Sequence, residues 1–199
     1  MLNEDEREVW RRIGCATACD AMETLSMRCA VITGLRCILP GSVVVGTAYT
    51  VRQIPKHGTA ATSERLVRHA EVASDLAHSG QVIVMDVGGR TDVASWGEVH
   101  SRRCLRRGIS GLIINGCVRD VSKIRAAGFP VTCLGFSPVK SLWDLETAAV
   151  NEPIAIGRVQ IRPDDLIIAD EDGIVVIPPS RAQEVQEMAL AILEKEATL

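Results

Sequence analysis

Apolar residues recur along this chain in two rhythms. Between residues 4 and 21, Val9, Ile13 and Ala16 or Thr17 fall near helical spacing, which predicts a helix with Asp20 near its end. Residues 30–38 are a short apolar stretch that predicts a connection or an edge strand. Pro40-Gly41 marks a turn, and the β-branched run SVVVGTAYTVRQI after it predicts a strand. Residues 59–78 return to helical spacing, with Leu66, Ala70, Ala73 and Leu76 or Ala77 on one face. Gly80 stops that helix. QVIVMD (81–86) then predicts a short buried strand closing on Asp86, followed by Gly88-Gly89.

The alternation continues. Residues 96–107 predict a helix, GISGLIIN a second buried strand, and the stretch after Asp120 a short helix ending at Gly128. VTCLGF (131–136) predicts a third strand. Between the second strand and the short helix the chain reads INGCVRD (114–120). Here Asn115-Gly116 predicts a turn, with the cation Arg119 and the anion Asp120 presented just beyond it. Strands alternating with helices imply an α/β unit with parallel strands. After residue 150 the rhythm shortens to β segments separated by Gly, Pro and Asp. That predicts a β meander on or beside the α/β core, then a helix over 180–197 started by Ser180 after Pro178-Pro179. No repeat, low-complexity tract or linker interrupts residues 1–199, so a single domain is expected.

Composition narrows the function classes. The chain has 199 residues, 47% hydrophobic and 24% charged, with only 3% aromatic, so its core is aliphatic. A net charge of −3 argues against a sequence-independent nucleic-acid binder. MLNEDEREVWRR is charged and lacks an apolar core, so no secretory signal is expected. No run approaches the roughly 20 apolar residues that span a bilayer, and a cytoplasmic protein is expected. Seven cysteines, an odd number without CxxC, predict free thiols in a reducing compartment rather than a disulfide framework or a zinc site.

Ligands of open α/β sheets bind outside the carboxyl ends of the strands. Three such ends carry chemistry: Asp86 with Gly88-Gly89; Gly116 with Arg119 and Asp120; and Gly135 with Ser137 and Pro138. SWGEVH (95–100) opens the helix between the first two. Free backbone N–H groups and the dipole at that helix start suit a small carboxylate, and Gly97 allows close approach. Arg119 matches a carboxylate as a bidentate partner. Asp120 offers hard oxygen to Mg²⁺ or Mn²⁺, and Glu98 a second carboxylate for the metal's water shell or for proton transfer. Blander roles compete. Arg119-Asp120 can be a surface ion pair, Glu98 a dipole-complementing residue, His100 a partly exposed helix residue, and Arg102, Arg103, Arg106 and Arg107 one solvated or subunit-contact helix face.

Taken together, GQVIVMDVGG (80–89), WGE (96–98), GISGLIINGCVRD (108–120), GFPV (128–131) and DDLIIADEDGIVVIP (164–178) resemble the RraA-like family, which contains the 4-hydroxy-4-methyl-2-oxoglutarate / 4-carboxy-4-hydroxy-2-oxoadipate aldolases. The resemblance implies a swivelling β/β/α fold and a homotrimer, or a hexamer built from trimers, with sites near subunit interfaces. It implies a divalent-metal aldolase that releases pyruvate from a small 2-oxo acid, with Mg²⁺ as the metal and Mn²⁺ or Co²⁺ as alternatives. Active members carry an acidic residue, twenty intervening residues, then Arg-Asp; Glu98, Arg119 and Asp120 stand at that spacing. By the same resemblance Gly97, Glu98, Val99 and His100 form the loop whose backbone holds the pyruvate end. Arg119 is then the substrate-binding arginine and Asp120 the metal ligand.

Two departures stand out. Glu98 replaces the family's usual Asp, and Asn115 stands where many relatives have Asp. A regulator of ribonuclease activity in the same family lacks the aspartate after the arginine and acts by binding protein. That leaves a non-catalytic regulator as the alternative, although this chain keeps Asp120. A Schiff-base aldolase would need a desolvated lysine, and Lys140, just after a strand end, is the one placed for it.

Overall fold

A computed structural model describes residues 2–57 and 68–198 of the chain. Helix α1 spans Glu4–Thr24. Asn3 starts it with a capping box, accepting from the Glu6 amide at 2.9 Å while Glu6 accepts from the Asn3 amide at 2.7 Å. The helix is broken at Gly14, whose φ of 68° leaves the helical region. The break frees the Cys15 amide, which donates to Asp170 Oδ2 at 2.8 Å. The single helix expected over residues 4–21 is therefore two segments hinged at Gly14, running on to Thr24.

Among the described residues ten strands form one sheet, eight of them in the order β1-β12-β11-β3-β4-β6-β7-β2. These are β1 (Ala30–Ile32), β2 (Arg36–Cys37), β3 (Val44–Pro55), β4 (Gln81–Asp86), β6 (Gly111–Val118), β7 (Val131–Phe136), β11 (Leu166–Ala169) and β12 (Ile174–Ile177). Two more pair to the side: β5 (Ala94–Trp96) on β6 and β8 (Leu145–Val150) on β3. The β3-β4, β4-β6 and β6-β7 pairs are parallel, as the strand–helix alternation implied. β1 and β2 lie at the two edges, so the 30–38 stretch is edge strand.

Both faces of the central strands are buried, which is why QVIVMD and GLII read as continuous apolar runs. Alternate residues of β4 go to opposite sides. Ile83 and Met85 meet Cys104 of α3 (Glu98–Arg106), Ile124 of α4 (Val121–Ala127) and Val72 and Ala73 of α2 (His69–Glu71, continuing as π-helical turns over Val72–Leu76). Val82 and Val84 face Ile154, Ile156 and Ile161 of a small ribbon, β9 (Ile154–Ile156) with β10 (Val159–Ile161). The helix expected over 59–78 is seen in part; 58–67 lie outside the described residues.

The C-terminal β segments are antiparallel, as a meander implies, and part of them joins the main sheet. Only β9 and β10 form a separate ribbon, while β11 and β12 extend the main sheet antiparallel to β3. Leu166, Ile168, Val175 and Ile177 then bury one face under α1 and α5 (Ala182–Glu196), whose start follows a 3₁₀ turn at Pro179–Arg181. Among the described residues, no helix is long and apolar enough to cross a membrane.

Asn115-Gly116 is not a turn. Strand β6 runs straight through it with a register shift between Ile114 and Cys117. The bulge re-aims the strand end. It is packed so closely that a Cβ on Gly116 would lie 2.0 Å from Val87 Cγ2. Asn115 stands opposite Asp86 in the sheet, and its Nδ2 donates to Asp86 Oδ1 at 2.8 Å. The same oxygen accepts the Gly88 amide at 3.0 Å, and the Gly89 amide donates to the Asn115 carbonyl at 3.1 Å. An aspartate at 115 would set a second carboxylate against Asp86; the amide avoids that repulsion and pins the loop after β4.

Candidate active site

The carboxyl ends of β5, β6 and β7 converge. The Arg119 amide donates to the Trp96 carbonyl at 2.9 Å and the Ser137 amide to the Val118 carbonyl at 3.1 Å. The Ala94 amide donates to the Val139 carbonyl at 2.7 Å, and Ser95 Oγ to Ser141 Oγ at 2.9 Å, zipping the loop after β7 onto β5. Trp96 Nε1 donates to Ser101 Oγ at 3.0 Å, which fixes the turn from β5 into α3.

These contacts frame a cavity of about 300 Å³. Its walls include Trp96, Gly97, Val99, His100, Arg119 and Asp120, together with His69, Lys140, Ser141 and Leu142. Gly97 is the N-cap of α3 and offers no side-chain cap, so the first-turn N–H groups are left for a ligand. Its backbone is extended, and space rather than conformation demands the glycine. A Cβ there would lie 2.9 Å from Asp120 Oδ2 and 3.1 Å from Arg119 Cγ.

Asp120 sits at φ 58° and ψ 33°, a left-handed conformation that costs a non-glycine residue about 1–2 kcal/mol. It heads α4 without capping it. Instead Oδ2 accepts from Arg119 Nε at 3.3 Å, and among the described residues no other donor reaches the carboxylate. The strained backbone thus aims the carboxylate at Gly97 and the cavity rather than at the helix it starts.

The other expected site residues divide. Gly97, Val99, His100, Arg119 and Asp120 line the cavity. Glu98 does not. Its carboxylate is taken by Arg102 Nε at 2.7 Å and lies 3.6 Å from Lys123 Nζ. Asp86, Gly88 and Gly89 are outside the cavity wall, so the first strand end supports the loop without entering the site. Ser137 and Pro138 border a shallower depression shared with Arg119 and Asp120.

Two further groups reach the cavity, one singled out in the sequence and one not. Lys140 brings a second cation to the cavity, although exposed, and so is not the desolvated amine a Schiff base needs. His69 reaches the cavity from α2. It stacks edge-on against His100 at 4.9 Å between centroids, and His100 lies 5.3 Å from Trp96. Burial, then the neighbouring His100, pushes His69 down to about 3. Burial, then Arg103 and Arg119, pushes His100 down to about 4. Both rings are therefore neutral at neutral pH. Helical spacing alone placed His69 on no chemical motif.

No group of three or more His, Cys, Asp or Glu suited to a metal occurs among the described residues. A zinc-type cage is not the fit to test here. A hard cation such as Mg²⁺, which keeps several waters and takes one or two protein carboxylates, fits a single uncapped aspartate beside a ligand cavity.

Comparison with known proteins places the chain. Residues 15–176 match the RraA-like description, Aldolase/RraA. The chain belongs to the RraA-like family. Protein DlpA of Legionella pneumophila is 36% identical over 169 residues, covering 82% of this chain and 26% of that protein. A Halalkalibacterium halodurans protein named "Putative 4-hydroxy-4-methyl-2-oxoglutarate aldolase" is 34% identical over 113 residues, covering 57% of this chain and 53% of its own length. The chain thus spans about a quarter of the first relative and about half of the second. Among solved structures, Streptomyces coelicolor RraAS2, described as an unusual member of the RNase ES inhibitor RraA protein family, is 29% identical. It superposes with a TM-score of 0.86 over 99% of this chain and 96% of that one. The mixed α/β sheet with terminal helices is the RraA-like fold.

Proposed function

We propose that this RraA-like chain is a metal-dependent aldolase. It would cleave a 4-hydroxy-2-oxo dicarboxylic or tricarboxylic acid to pyruvate and a second oxo acid, with decarboxylation of oxaloacetate as a side activity. The observation that carries the reading is the convergence of Arg119, Asp120 and the uncapped start of α3 on one cavity, with Asp120 held in a strained conformation to get there. Relatives bearing an aldolase name support the same class.

The reaction breaks the bond between C3 and C4. The hydroxyl on C4 loses its proton and becomes a carbonyl, and the bonding pair passes to the pyruvyl fragment, which takes up a proton to give pyruvate. Arg119 and the α3 amides hold the pyruvyl carboxylate, and their fixed positive charge favours the developing anion. Lys140 supplies a second cation for a carboxylate. Asp120 is the residue that would hold a divalent cation, which when bound supplies Lewis-acid polarisation of the substrate's oxygens. Oxaloacetate fits the same machinery because loss of CO₂ leaves the same fragment. The first test is pyruvate release from 4-hydroxy-4-methyl-2-oxoglutarate and from oxaloacetate. Release from neither contradicts the reading, and borohydride trapping of substrate on Lys140 would replace it with Schiff-base chemistry.

Glu98 separates two versions of the proton transfer. If Glu98 carried the hydroxyl proton through a water, Glu98→Gln would cost about 100-fold or more in kcat. Its ties to Arg102 and Lys123 favour a supporting part, holding the first turn of α3 in place. The expected change is therefore only a few-fold, read from steady-state kinetics of the glutamine variant.

Val99, Phe136, Val139, Leu142 and Trp143 are exposed, at 46–65% each, around the site. Exposed apolar groups gathered around a cavity mark a contact surface. They support assembly as a homotrimer or hexamer that closes the site, and sedimentation as a monomer at micromolar concentration would contradict it.

A further inference from the structure

The pocket wall holds a polar group that the proposed reaction leaves unused. His69 is 8% exposed and lies between Gln53 of β3 and His100 of α3. Gln53 Nε2 is 3.1 Å from His69 Nδ1 and 3.4 Å from Thr147 Oγ1. With the amide nitrogen so placed, both of its protons are used and only Gln53 Oε1 is left without a partner. The flipped amide would leave two buried N–H groups stranded instead, a larger cost. The nitrogen therefore faces the ring, Nδ1 accepts, and the imidazole proton is on Nε2.

Nε2 lies on the far edge of the ring from Gln53. Among the described residues no backbone or side-chain group takes its proton. The ring borders the cavity and Nε2 is not among the sealed, partnerless atoms, so its proton is open to a ligand there. Resting on the aldolase reading above, we propose that His69 is a substrate-positioning residue, whose Nε2–H donates a hydrogen bond to an oxygen of the pyruvyl end of the oxo acid. Its ring packs on His100, next to the α3 start that receives that end. A neutral donor suits the task. It orients a carboxylate or keto oxygen beside Arg119 without adding a third full charge, and it stays a donor across the neutral pH range. Gln53, which is not itself part of the cavity wall, acts through His69 by fixing the tautomer.

The experiment uses the full chain with Mg²⁺ and pyruvate as the probe. ¹⁵N-labelled histidine in the wild-type protein reports which ring nitrogen carries the proton, and the His69→Phe variant assigns the signal. The proposal expects His69 as the Nε2–H form, with that resonance shifting as pyruvate is titrated in. It also expects His69→Phe, which keeps the ring volume, to weaken pyruvate binding about 10- to 100-fold, the worth of one hydrogen bond to a charged group. Gln53→Leu should move the tautomer balance without touching the ligand. An Nδ1–H tautomer, an unshifted signal while pyruvate binds, or a folded His69→Phe protein with wild-type affinity would each overturn the role of His69 and leave the aldolase reading standing. Calorimetry showing no pyruvate binding to the wild type would overturn both.

Discussion

Asp120→Asn is expected to remove metal-dependent pyruvate release, a loss of about 1000-fold or more, since Lewis-acid polarisation contributes several kcal/mol. The asparagine is the sharper substitution. It tolerates the left-handed backbone at φ 58° better than alanine and keeps the side chain's shape, so fold and strain are conserved while the charge is lost. Among the described residues Asp120 is the one carboxylate in the cavity wall, and Glu98 is held by Arg102 and Lys123. Mn²⁺ binding followed by electron paramagnetic resonance should fall with activity. Wild-type turnover in either Asp120→Asn or Asp120→Ala would remove Asp120 from the account.

Arg119→Ala should separate the two halves of the site. Turnover is expected to fall about 100- to 1000-fold, the cost of removing one charged donor from an anionic transition state. Metal binding should persist or tighten, because the Asp120 carboxylate loses its only protein partner among the described residues. Arg119→Lys should recover little, since an ammonium cannot reproduce the paired geometry of a guanidinium. The readouts are kcat/KM and the Mn²⁺ affinity of each variant. If Arg119→Ala lost the metal and kept its rate, the two roles would be exchanged.

How far the sequence could be read depended on what each residue answers to. QVIVMD and VTCLGF are strands because their apolar runs are short and pack within the sheet, the first buried over five residues and the second over its first three, and they appear at the expected positions. That Arg119, Asp120 and Gly97 lie at one cavity was legible because the cation, anion and glycine are clustered at strand and helix ends, where backbone groups are unpaired. Asn115-Gly116 misled for a local reason. The dipeptide favours a turn, but pairing on both sides of β6 holds it extended, and the extra length is absorbed as a bulge. β11 and β12 joined the main sheet because β3 offered a long edge and their own alternate faces needed both α1 and the ribbon for cover. No local spacing encodes that choice.

What brings His69 and Lys140 to the site is long-range as well. His69 is 31 residues before His100, and only the packing of α2 on α3 brings the rings together. Lys140 reaches the cavity because the loop after β7 is hydrogen-bonded to β5, a pairing of residues 46 apart in the case of Ser95 and Ser141. Glu98 was legible by spacing, yet its side chain is governed by partners one turn on, at Arg102, and across on α4, at Lys123.

The most direct test of the central claim is pyruvate release from 4-hydroxy-4-methyl-2-oxoglutarate by the wild-type protein, first with Mg²⁺, then with excess EDTA, then with Mg²⁺ restored. The account predicts release that stops with the chelator and returns with the metal. Release that is indifferent to EDTA, or no release at any stage, would contradict it.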